Sequence, residues 1–88
     1  MEFTGKPESR ELIWNPSNPA TVVTVPDVNR PENRNVRFEW KKGTTIIGYG
    51  KVVAVPLTKG ENRFTVTALD QDMVGARPVS MEIVVLCQ

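Results

Sequence analysis

Lys59-Gly60-Glu61-Asn62-Arg63-Phe64-Thr65-Val66-Thr67-Ala68-Leu69-Asp70 is the stretch that decides the fold. A Gly-Glu-Asn turn is expected to release the chain into a strict alternation. Phe64, Val66 and Ala68 point one way; Arg63, Thr65 and Thr67 point the other. Period two, rich in Thr and Val, marks a strand with one buried face and one wet face. Asp70 stops it. Such a strand identifies a β-sandwich far better than it identifies an activity.

The same pattern extends outward in both directions. Upstream, Val36-Arg37-Phe38-Glu39-Trp40-Lys41 alternates with Val36, Phe38 and Trp40 on the apolar face. Lys42-Gly43 is a turn into a short strand over Thr44 to Ile47, ended by Gly48-Tyr49-Gly50, where the two glycines indicate a tight bend or a bulge. Lys51 to Leu57 presents Val53, Val55 and Leu57 to one side, and Pro56 puts its end at a sheet edge. Downstream, the loop from Asp70 to Pro78 leads to Val79–Leu86, where Met81, Ile83 and Val85 alternate with Ser80, Glu82 and Val84. The Phe64 strand is expected to lie centrally and to pair antiparallel with this last strand, because consecutive strands are usually neighbours.

The first third is less regular. Glu11-Leu12-Ile13-Trp14 is an apolar burst before the turn formers Asn15-Pro16-Ser17-Asn18-Pro19. Ala20 to Val25 reads as a strand with Val23 and Val25 on one face. Pro26 to Asn35 reads as a loop. The expectation is an all-β, immunoglobulin-like β-sandwich of about seven antiparallel strands, with turn signals every 8–12 residues or so. Residues 1–9 are expected to be a flexible lead-in and residues 10–88 a single domain, cut from a longer protein.

Composition narrows the function classes. The 88 residues allow one domain with a modest core. A hydrophobic content of 40% with 24% charged residues is that of a folded domain. The formal net charge of +1 provides no basic excess for nucleic acid or an anionic membrane. No apolar run approaches the ~20 residues of a membrane span. Histidine is absent, which removes the commonest general base and metal ligand. Cys87 is the single cysteine, so no internal disulfide can form and a structurally neutral thiol is expected there.

Residues 36–86 carry a family resemblance. A Trp strand (Phe38-Glu39-Trp40), a Gly43–Gly48 hairpin, Val53-Ala54-Val55, then Gly60-Glu61-Asn62 leading into Val66-Thr67-Ala68-Leu69-Asp70, Gly75 and a Val-rich last strand resemble bacterial immunoglobulin-like modules and the related PKD-type repeats. Lys41-Lys42-Gly43-Thr44 stands where PKD-type repeats have an acidic, glycine-rich segment, which favours the broader immunoglobulin-like class. The resemblance implies a non-catalytic module of a larger secreted, cell-surface or virion protein. Such modules serve as spacers or as protein- or ligand-interaction domains. The partners it implies are neighbouring domains of a parent protein, and another protein or a glycan.

Individual residues bear on this reading. Trp40 is expected to fill the core. Trp14 either packs at a sheet edge or contacts a ligand, and Tyr49 either packs on the sheet or contacts one. These two aromatics carry the alternative reading, a carbohydrate-binding module. Asp70 and Asp72, with Glu61 or Asp27, could offer oxygens to calcium, but no EF-hand spacing is present and loop aspartates commonly bond nearby amides. Arg30, Arg34, Arg37, Lys41 and Lys42 read as a solvated surface interspersed with Glu32 and Glu39; the other reading is a patch for an acidic protein or polysaccharide. Proline in the middle position excludes Asn15-Pro16-Ser17 as a glycosylation site. No catalytic set, cofactor motif or metal motif is evident, so an enzyme is not expected.

Overall fold

A computed structural model describes residues 2–5, 9–24, 28–29, 35–71, 75 and 77–88. Nine strands run through them in chain order: β1 (Glu2–Phe3), β2 (Ser9–Leu12), β3 (Ala20–Thr24), β4 (Val28–Asn29), β5 (Val36–Lys42), β6 (Thr45–Tyr49), β7 (Val52–Pro56), β8 (Gly60–Asp70) and β9 (Val79–Cys87). Among the described residues there is no helix, and so none long and apolar enough to cross a membrane. The fold is all-β.

Five strands form one mixed sheet in the order β2-β9-β8-β5-β6, and β3 pairs with β7 in a second sheet. β1 and β4 make a third, two-residue ladder. β8 is central, as its sequence predicts. It is antiparallel to β5, with Trp40 opposite Val66, and antiparallel to β9, with Phe64 opposite Ile83. Alternation is strict because both edges of β8 are tied, and a one-residue slip would turn Phe64, Val66 and Ala68 out to water. All three are buried, as are Phe38 and Trp40 of β5, Val53 and Val55 of β7, and Ile83 and Val85 of β9. The buried residues of the two sheets belong to one apolar cluster. Burying a side chain the size of Phe64 stabilises by about 2–3 kcal/mol.

Several local expectations change. The sheet is not antiparallel throughout: β2 runs parallel to β9, with Leu12 opposite Cys87. Most of the chain separates these strands, so no tight turn dictates their direction, and the ladder continues as Gln88 N–H donates to Leu12 O and Trp14 N–H to Gln88 O, both at 2.8 Å. The strand count rises from about seven to nine because β1 and β4 are too short to show a period. β1 lies within the segment expected as a lead-in, and β4 falls inside the expected 26–35 loop. Residues 25–27 and 30–34 lie outside the described residues.

The turn before β8 is also earlier than expected. Glu61 and Asn62 are already in the strand, which opens at Gly60 with φ near +101°. That left-handed backbone suits glycine. At the other hairpin, β6 runs through Gly48 to Tyr49 instead of ending at Ile47. The register shifts between Trp40↔Gly48 and Lys41↔Ile46, so Ile47 is the extra residue of a bulge. A side chain at position 48 would meet Val53 Cγ1 at 3.0 Å, which explains the glycine.

Candidate functional site

Trp14 follows β2 and is held by its backbone bond to Gln88. Its ring is half-buried and packs on the core cluster. It also lines an open cleft of about 290 Å³ with Leu12, Ile13, Asn15, Asn18, Ala20, Thr21, Leu57 and Cys87. The Asn15–Asn18 turn shapes one wall. Asn15 Oδ1 accepts from Ser17 N–H at 3.0 Å, and Asn18 N–H donates to Asn15 O at 3.1 Å. Turns of this kind form because the asparagine side chain substitutes for a backbone acceptor. The cleft therefore combines one aromatic face with amide and hydroxyl groups.

Tyr49 stands elsewhere. It is 49% exposed on β6, and the Arg37 guanidinium lies 4.3 Å from its ring centroid. Arg37 thereby packs on an aromatic face within its own sheet, a cation–π contact. The structure does not bring Trp14 and Tyr49 together. Four strand spacings separate β2 from β6, and Tyr49 is level with Ser80 whereas Trp14 is level with Gln88. At ~4.8 Å per strand and ~3.3 Å per residue the aromatics stand roughly 30 Å apart. No single stacking platform contains both.

The described basic residues of the expected patch each have a local partner. Lys41 pairs with Glu39 at 3.4 Å. Lys42 reaches Asn62 Oδ1 at 3.5 Å and lies 5.7 Å from the Phe64 ring centroid. Arg63 donates to Glu61 and, at 2.5 Å, to Glu82. The bond to Glu61, then its charge and that of Glu82, hold the Arg63 guanidinium above its ordinary pKa. Arg30 and Arg34 lie outside the described residues. So do Asp27 and Asp72 of the calcium reading. Among the described residues, no three His, Cys, Asp or Glu side chains gather in a way that could hold a metal.

Two buried groups were not foreseen in these roles. Cys87 is not a neutral terminal thiol: it is buried among the core residues at the end of β9. Its place in the ladder between Gly60 and Leu12 puts it there. Asn62 is fully buried with every bonding direction used. Its Oδ1 accepts from Thr58 N–H at 2.8 Å and Thr58 Oγ1 at 3.1 Å. Its Nδ2 lies within bonding reach of the carbonyls of Thr58, Gly60 and Val85 at 2.8, 3.1 and 3.2 Å, and of the Cys87 sulfur at 3.7 Å. A carboxamide offers two donors and two acceptor lone pairs, so it can lock the 57–60 turn to β9 without leaving a buried polar atom unpaired. The signal in the sequence was Asn62 itself, standing at an inward position in register with Phe64 and Val66.

Comparison of the chain with known protein families, with curated proteins and with solved structures finds no match.

Proposed function

We propose that the chain is a non-catalytic immunoglobulin-like β-sandwich module of a larger secreted, cell-surface or virion protein, acting as a spacer or interaction domain. The observation that carries this reading is strand order. In immunoglobulin-like sandwiches the third strand neighbours the sixth, the sixth neighbours the seventh, and the second pairs with the fifth in the facing sheet. The order β5-β8-β9, with β6 added beside β5 and β3 paired to β7, follows that scheme. Trp40 supports it from β5, the strand that holds the buried tryptophan in such domains. Its indole N–H donates to Gly50 O at 2.8 Å, satisfying the ring's one polar group. With one cysteine, no bridge ties the sheets, and Val23 of one sheet and Val66 of the other belong to one buried apolar cluster.

Antibody labelling of intact cells or virions of the source tests the proposal. Staining of intact particles is the expected result, and staining only after permeabilisation would contradict it. The second reading, glycan binding, is favoured by the cleft at Trp14 alone, because Tyr49 is too distant to share a ligand with it. A glycan array probed with the chain and with Trp14→Ala decides that version: binding lost on substitution supports it, and no binding, or binding indifferent to Trp14, removes it.

A further inference from the structure

We infer that β2 and the end of β9 form a shear clamp that carries tension along the chain, with Arg10 fastening the clamp to the second sheet. The inference turns the spacer proposed above into a load-bearing link. It rests on that reading, because tension reaches the clamp only through neighbouring parts of a longer protein.

Strand direction makes the clamp. β2 lies early in the chain and β9 at its end, and they run parallel, with Ser9 opposite Val84 and Leu12 opposite Cys87. Tension draws β2 backwards from Ser9 and β9 forwards from Gln88. Those two points stand at opposite ends of the ladder, about 13 Å apart at ~3.3 Å per residue. The strands are therefore pulled past one another, and every bond between them is loaded at once. Antiparallel strands in these places would put both pulling points at one end of the ladder, where bonds open one at a time.

The ladder is continued past β2. Gln88 N–H donates to Leu12 O and Trp14 N–H donates to Gln88 O, both at 2.8 Å. These bonds fix the alternation: Arg10 and Leu12, in step with Trp14, turn their N–H groups toward β9, and Glu11 turns its own outward. Leu12 and Trp14 also pack on the core cluster, so sliding β2 uncovers apolar surface as it breaks bonds.

Arg10 adds a tie across the layers. Its guanidinium reaches Val22 O at 2.8 Å and Thr21 Oγ1 at 3.4 Å. Both acceptors belong to β3, which is paired with β7 at five positions. A sliding β2 must break this tie in the same movement. β1 is held to β4 by two residue pairs only, so it yields first and passes the load to β2.

Single-molecule pulling of the full 88-residue chain tests the inference in two directions. One pair of handles sits at the two ends. The other sits at the C-terminus and, through Ser17→Cys, in the exposed turn after Trp14, so that the pull opens the same ladder from its Gln88 end. Cys87 is buried, which directs the handle chemistry to position 17. The expected end-to-end rupture force is at least ~twofold above the force from position 17 at equal loading rate, because sheared bonds must break together. Arg10→Pro removes both the ladder N–H and the guanidinium tie. It should lower the end-to-end force and leave the force from position 17 nearly unchanged. An end-to-end force no higher than that from position 17, or an Arg10→Pro chain that holds as firmly as the unaltered one, overturns the inference. Should Arg10→Pro lose its fold, the two pulling directions decide alone. A weak clamp leaves the module reading standing as an interaction domain, and surface labelling tests that reading separately.

Discussion

Single residues show where this fold concentrates its stability. Asn62 bonds Thr58 through both N–H and hydroxyl and also reaches three carbonyls. Replacing it with alanine strands a buried N–H and buried carbonyls, each costly to leave unpaired. Asn62→Ala is expected to lose about 2–4 kcal/mol in urea unfolding, and a loss below ~0.5 kcal/mol would show that water replaces the carboxamide freely. Phe64, fully buried at the centre of β8, sets the comparison. Phe64→Ala should cost about 3–5 kcal/mol, a large share of the 5–15 kcal/mol typical of a domain. The Phe64 effect was legible in the sequence, because alternation alone assigns that side chain to the core. The Asn62 effect was not. A Gly-Glu-Asn run reads as a turn, and only a three-dimensional neighbourhood of carbonyls reveals that the Asn62 amide is an internal strut. Cys87 was hidden for a related reason: nearness to the end of the sequence suggested indifference, yet β-pairing on both sides carries it into the core.

At the scale of elements, legibility followed length. β5, β8 and β9 were readable because seven to eleven residues of alternation leave one consistent facing. β1 and β4, two residues each, have no period to read. The parallel partnership of β2 and β9 was invisible because residues far apart in the chain make it, and no turn chemistry announces it. The Trp14 and Tyr49 candidates were each found from sequence, but their separation depends on sheet order, which alternation does not encode. The β6 hairpin was half legible. Its glycines predicted a bend or bulge around Tyr49, whereas the register shift at Trp40/Lys41 makes Ile47, just before Gly48, the extra residue. Gly48 also lets β6 approach Val53. Gly48→Ala should therefore force a local shift costing about 1–3 kcal/mol. Thermal unfolding would read this as a lower Tm, and an unchanged or raised Tm would show that Val53 yields without penalty.

For the molecule as a whole, two sheets share one apolar cluster in a body of 42 × 23 × 17 Å. The central claim beneath the functional proposal is that β8 lies in the middle of the large sheet, tied to β5 and β9 at once. Native-state hydrogen exchange tests it most directly. Amides bonded on both flanks of a central strand open only with global unfolding, while loop amides exchange through local motion. The account predicts that Thr65 and Thr67 are among the slowest amides in the chain, far slower than those of the exposed Gly43–Thr44 turn. Rapid exchange at Thr65 and Thr67 would contradict the central position of β8, and with it the strand order on which the module reading stands.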